Sequence, residues 1–237
     1  MRNTITIAKK ELRTYFTSPM AYIVGAVFLG IMGVFFVFSV DTPFPEATAQ
    51  GFLANGTFIM VILAPILTMR LLAEEQKLGT LELLMTSPVR DHEVVLGKFL
   101  ASMVIFIVTL ALTSYYVILL YWYGDPDTGP IMSGYLGFVL YGAATLAVGI
   151  LASAMTNNQL VAAVLSFGTL LILILLNLVT VAVSGTANEI LTQLSLQSHL
   201  DDFLRGVIDT WHLIYYITFT SAILFITIRL VESRRWR

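Results

Sequence analysis

Six long apolar runs divide this chain, and all but one of its positive charges cluster at its ends and in the central connection. Twelve of the thirteen Lys and Arg residues fall into three clusters: Arg2, Lys9, Lys10 and Arg13; Arg70, Lys77, Arg90 and Lys98; Arg229, Arg234, Arg235 and Arg237. The other connections hold Asp41, Glu46, Asp125, Asp127, Glu189, Asp201, Asp202 and Asp209. Positive residues stay on the cytoplasmic side of a membrane, while acidic residues contribute little to orientation. The pattern predicts a multi-pass protein of the plasma or inner membrane whose two ends and central basic loop are cytoplasmic.

Charged residues make up 12% of the chain against 57% apolar, whereas a soluble domain carries about a quarter charged residues. The formal charge of -2 says nothing alone, because the two signs lie on opposite sides. Without cysteine, neither a disulfide framework nor a thiolate site is available. The first apolar run follows a polar prefix and is itself long enough to span, so it reads as a retained helix rather than a cleaved signal.

A span needs roughly 20 apolar residues. Six segments qualify: Pro19 to Val40, Gly51 to Met69, Phe99 to Trp122, Ile131 to Met155, Leu160 to Val183 and Leu213 to Val231. An even number returns both termini to one side, as the charges require. The expected fold is all-α, one transmembrane domain over residues 1–237.

Before the first span, in residues 1–18, Ile5, Ala8, Leu12, Tyr15 and Phe16 recur at helical spacing with Lys9, Lys10 and Arg13 elsewhere on the turn. That spacing predicts an amphipathic elbow helix in the inner headgroup layer, with the lipid bilayer as its partner. Ser18-Pro19 then breaks it. Outside, residues 184–212 carry Ile190, Leu191, Leu194, Leu200, Phe203, Leu204, Val207, Ile208 and Trp211 at three- and four-residue spacing. Backbone at membrane depth outside a full span must be buried in protein or line a cavity. The segment reads as re-entrant or interfacial, either an outer gate built on Leu200, Phe203, Arg205 and Val207 or a passive clamp.

The spans are poor in chemistry. Apart from Arg229, two residues from the end of the last, they hold no Asp, Glu, Lys, Arg or His. Intramembrane ionisable groups mark proton and ion pathways, so a proton-coupled pump and a voltage sensor are disfavoured. His92, His199 and His212 all lie outside the spans or at an interface, which leaves an intramembrane protease without a base. No G-x-x-x-x-G-K-[ST] loop occurs, and the chain is not expected to be an enzyme, with no catalytic residue and no metal or cofactor of its own. Energy for work against a gradient must enter from another polypeptide.

The port for that energy is the 70–98 loop, RLLAEEQKLGTLELLMTSPVRDHEVVLGK. Gly79 interrupts one helix, and Ser87-Pro88 suits the start of the next, Ser as cap and Pro in the first turn. Leu81, Leu83, Leu84 and Met85 are too closely spaced for a merely solvated loop.

Glu75-x-x-x-Gly79-Thr80-Leu81-Glu82-x-Leu84-x-x-Ser87-Pro88-Val89, followed by Val95-Leu96-Gly97-Lys98, resembles the cytoplasmic loop of type-2 ABC (ABC-2) exporter permeases. The start KKELRTYFTSPMAYI is similar to that family's elbow helix. Ser195 onward, through HLDDFLRGVIDTWHLIYY to ESRRWR, resembles its outer re-entrant region and last span. The likeness is nearest to the gliding-motility and copper-centre-maturation permeases. It implies a permease subunit of an ATP-driven exporter, pairing with a second copy or a paralogue, with or without an accessory extracytoplasmic protein; no nucleic acid is expected. ATP and Mg would bind a cytoplasmic ABC ATPase docked on Glu74, Glu75, Gly79, Thr80, Leu81, Glu82, Leu83, Leu84, Ser87 and Pro88. Small residues let helices approach closely in lipid; Ala21, Gly25, Gly30 and Gly33 of the first span are the expected dimer face, ahead of Gly142, Ala143, Ala147, Gly149 and Ser153 of the fourth, with packing inside one subunit the alternative, and commoner, use of either surface. Pro65 is the expected hinge. A non-transporting anchor or assembly factor is the alternative.

Overall fold

The computed structural model describes residues 2–40, 48–80, 89–182 and 186–234, and every element in them is helical. In chain order they are α1 (Arg2–Thr17), α2 (Pro19–Val40), α3 (Gln50–Thr68), α4 (Ala73–Lys77), α5 (Asp91–Leu112), α6 (Ser114–Tyr123), α7 (Thr128–Met155), α8 (Gln159–Ala182), α9 (Thr186–Leu194), α10 (Leu196–Leu204) and α11 (Thr210–Arg234). Six stretches are long and apolar enough to cross a membrane: α2, α3 with α4, α5 with α6, α7, α8 and α11. The protein is therefore an all-α multi-pass membrane protein, with spans where the apolar runs predict them.

Two spans form the core and the rest surround them. The second and fourth are mostly buried, while the first, fifth and sixth expose most of their apolar surface. α7 lies at the centre, packed on α3, α5, α8, α10 and α11. Its glycines explain why. A Cβ on Gly142 would lie 2.1 Å from the Phe106 ring, and one on Gly149 would lie 2.1 Å from Thr68 Oγ1. Burial gives helices no driving force toward each other in lipid, so close approach over small residues must supply the contact. The small residues of the fourth span thus serve packing inside the subunit.

Those of the first span divide. Gly33 backs onto Tyr116, whose hydroxyl donates to the Leu29 carbonyl at 2.7 Å, and Gly25 faces Thr109. Ala21 is half-buried against the core. Only Gly30 has open space at its Cβ position. α3 runs unbroken through Pro65 to Thr68.

Two local expectations shift. Ser87 and Pro88 lie outside the described residues, yet α5 begins only at Asp91. Glu93 Oε2 accepts from the Arg90 backbone N–H at 3.1 Å, closing that first turn. At the far end the helical stripe stops at Gly206, whose φ of 93° ends α10 in a conformation glycine adopts freely. Val207, Ile208 and Trp211 are left exposed.

Candidate functional site

At the end of the bundle that carries α1, three elements meet around one buried lysine. α1 crosses α5 closely because Gly97 gives it room: a Cβ there would lie 2.9 Å from Ile7 and from the Thr4 carbonyl. Ala8 and Tyr15 are buried on this inner face. The residue after Gly97, Lys98, is sealed at 1% exposure. Its Nζ lies 2.9 Å from Glu11 Oε1 on α1 and 2.8 Å from Glu75 Oε1 on α4. One cation thereby ties the elbow helix, the start of the loop and the third span together. A buried charge is tolerated only when paired and hydrogen-bonded, so the three positions are fixed jointly.

Further bonds hold the same joint. Tyr15 Oη donates to the Leu67 carbonyl at the end of α3, and the Arg70 guanidinium lies 4.4 Å from the Tyr15 ring centre. Burial pushes the Tyr15 phenol well above its ordinary pKa, with Arg70 opposing. It is a fixed donor, not a titrating group. Asn3 donates to Glu93 Oε2 at 3.0 Å. From α7, Ser153 Oγ accepts from the N–H groups of Leu72 and Ala73 at 3.1 and 3.0 Å and donates to the Met69 carbonyl at 3.0 Å. Those are orphan groups of the α3 end and the α4 start, which otherwise need water. Gln76 adds a bond to the Ala154 carbonyl at 3.0 Å. Glu75 Oε2 and Arg70 Nη2 are buried with no hydrogen-bond partner among the described residues.

The expected coupling residues fall on either side of this joint. Glu74 and Glu75 are on α4, and Gly79, at φ 69°, ends the helical turn. Thr80 Oγ1 donates to the Glu75 carbonyl at 3.3 Å. Leu81, Glu82, Leu83, Leu84, Ser87 and Pro88 lie outside the described residues. Glu75 turns inward to Lys98 rather than outward. Sequence reasoning missed Lys98 and Glu11 as a pair. Two signals were there: Lys98 stands at the edge of an apolar run, and Glu11 is the one acid in a basic prefix.

At the far end, α10 is seated in the bundle, not laid on its surface. Leu200 and Phe203 are buried, with Phe203 against Gly137, while Arg205 and Val207 are exposed. Ser133 Oγ donates to the Phe203 carbonyl at 2.6 Å, and Tyr216 Oη to the Leu196 carbonyl at 2.6 Å. His199 stacks on Tyr215 at 3.7 Å between ring centres, its Nδ1 2.8 Å from the Ser195 carbonyl. That carbonyl can only accept, so Nδ1 carries the hydrogen. His212 Nε2 lies 2.7 Å from Asp202 Oδ2. Burial holds His199 below the usual imidazole pKa, against the bond to Ser195 and with help from neighbouring His212. Burial also raises Asp201.

Six spans, an elbow helix bonded to the loop after the second span, and a helix from the last connection seated against the fourth span make up this membrane protein. The chain matches the ABC-2 family transporter proteins over residues 5–230 and belongs to that family. It is 31% identical over 121 residues to the probable multidrug ABC transporter permease YbhS of Escherichia coli, in strain K12 and in O157:H7. That alignment covers 50% of this chain and 32% of the relative.

Proposed function

We propose that the chain is the transmembrane subunit of an ATP-driven exporter of the plasma or inner membrane, with both termini cytoplasmic. Two copies, or one copy and a paralogue, line the substrate path. A separate ABC ATPase docks on the segment between α4 and α5. The observation that carries this reading is the ion triad of Glu11, Lys98 and Glu75. Motion delivered to the loop at α4 cannot leave Lys98 behind, because separating a buried charge from its partners costs about 3–5 kcal/mol. The third span and the elbow helix must follow.

Ser153 passes the same motion to the central α7. Gly30, with open space beside it, is where a second first span can approach. Pro65 and the α10 residues Leu200 and Phe203 are the proposed hinge and outer closure, with Arg205 and Val207 at the rim. The loop and tail motifs support a place near the gliding-motility and copper-centre-maturation permeases. The multidrug relative makes small apolar compounds the first cargo to try.

The test is co-purification with a candidate ABC ATPase from the same genome, one encoded nearby being the first to try, followed by hydrolysis in liposomes. Wild type should retain the ATPase and respond to cargo; Glu82→Lys should lose both while the bundle stays folded. Full retention and normal stimulation in Glu82→Lys would refute the coupling assignment. An ATPase that never co-purifies would refute the exporter reading in favour of an anchor.

A further inference from the structure

The first and second spans touch along one side, where Met32 packs on Gly56, and stand apart on the other. Between them runs a slot of about 350 Å³ walled by Ile23, Val27, Ile31 and Phe35 of α2 and by Phe58 and Ile62 of α3. Every lining side chain among the described residues is apolar. It opens sideways, since Val27, Phe58 and Ile62 are each more than half exposed, and it lies inside two membrane spans. Its volume is within the range of small-molecule sites.

Dimensions decide what can enter. Ile23 to Phe35 is a rise of twelve residue steps, about 18 Å of helix, or more than half of a hydrocarbon core of about 30 Å. Spread over that length, the slot volume gives the centre of a water-sized sphere a cross-section of roughly 20 Å², which leaves about 8 Å between the walls. A helix with its side chains is about 10–12 Å wide, so a span of a second copy does not fit. A single saturated chain does, its carbons needing contacts of about 4 Å.

The end of the slot nearest the elbow helix adds a charge argument. The slot finishes there at Ile23 and Ile66. α1 is tied to both walls at that level: Tyr22 Oη donates to the Phe16 carbonyl at 3.1 Å, and Tyr15 Oη to the carbonyl of Leu67. The outer face of α1 holds a hollow lined by Lys9, Lys10, Arg13, Thr14 and Thr17. None of its three cations has an acidic partner among the described residues. Ile5 and Phe16 are exposed on the flank between the basic face and the buried one, as in a helix lying at the headgroup boundary.

We propose that the slot holds one acyl chain of an anionic phospholipid whose phosphate is met by Lys9, Lys10 and Arg13. The probes are phosphatidylglycerol and phosphatidylcholine with identical chains, added to the purified full chain in mild detergent and counted by native mass spectrometry. Wild type should retain phosphatidylglycerol in preference, and inorganic phosphate should not displace it. Replacing Lys9, Lys10 and Arg13 together by Gln should lower its retention on the order of a hundredfold, about fivefold per cation. Ile62→Trp, which fills the slot, should release it as well. Helicity and melting temperature near wild type confirm that both variants are folded.

Retention unchanged in either variant overturns the proposal. So does displacement by inorganic phosphate, which would reduce the site to an anion hollow. An Ile62→Trp protein that keeps its lipid but changes its oligomeric mass would make the slot a contact between copies, and that also overturns it.

Discussion

Replacing Lys98 by Met removes one charge and strands two. Glu11 and Glu75 are each 14% exposed at the side chain, and their oxygens lie 2.9 and 2.8 Å from the same nitrogen. They are therefore no more than about 6 Å apart, and two full charges at that separation repel by about 3 kcal/mol at an effective dielectric near 20. Loss of one partner from a buried pair typically costs about 3–5 kcal/mol. The same range follows from either argument, and for a chain of this length it lowers the melting temperature by about 10 °C. The assay is thermal unfolding in detergent, followed by tryptophan fluorescence and far-UV circular dichroism. Charge, not packing, is at issue, so the test lies in the rescue: Lys98→Met with Glu75→Gln should recover much of the loss, and adding Glu11→Gln should recover more. A Lys98→Met protein within 2 °C or so of wild type, or a double variant no more stable than the single, would refute the triad as a structural joint.

Two further perturbations probe the ends of the bundle. Ser153→Ala leaves the Leu72 and Ala73 N–H groups buried without an acceptor; at about 1–3 kcal/mol for an unsatisfied group, melting should fall by several degrees, and amides 72 and 73 should exchange faster than the rest of the bundle. His199 binds its proton more weakly folded than unfolded, so stability should drop as pH falls from 7 through about 6.5 and below. Asp201, raised by burial, acts in the opposite sense but lower, in the carboxylate range. His199→Phe keeps the stack on Tyr215 and should flatten the melting profile between about pH 7 and 5.5; an unchanged slope would show that the acid sensitivity lies elsewhere.

Span number and placement were legible because the bilayer imposes a length, and no loop in this chain imitates a 20-residue apolar run. Which spans form the core was not. α2 and α7 both carry small residues at helical spacing, and hydropathy does not distinguish a face that meets lipid from one that meets another helix. Only the partner across the gap decides: Phe106 and Thr68 fill the space over Gly142 and Gly149, Tyr116 fills that over Gly33, and nothing fills that over Gly30. The elbow helix shows a related ambiguity. One apolar stripe was predicted, but Ala8 and Tyr15 turn to the protein, whereas Ile5 and Phe16 turn outward. A stripe wide enough to serve two neighbours looks in sequence like a stripe serving one.

The functional joint was legible in place and not in content. The loop between the second and third spans stood out for its leucines, yet the described part of the joint is polar: a lysine, two glutamates, a serine and a tyrosine drawn from positions as far apart as Glu11 and Ser153. Periodicity reports what one helix presents to its own surroundings. It does not report pairing between residues 87 positions apart, which is set by where helices cross. The crossing is set in turn by Gly97, a residue that contributes only the absence of a side chain. That division has a mechanical consequence. The apolar spans can slide or tilt against lipid at small cost, but the polar joint is discrete: Lys98 is either paired with both carboxylates or it is not. In the exporter proposed above such an element has a use, because a discrete joint transmits a displacement that soft apolar packing would absorb.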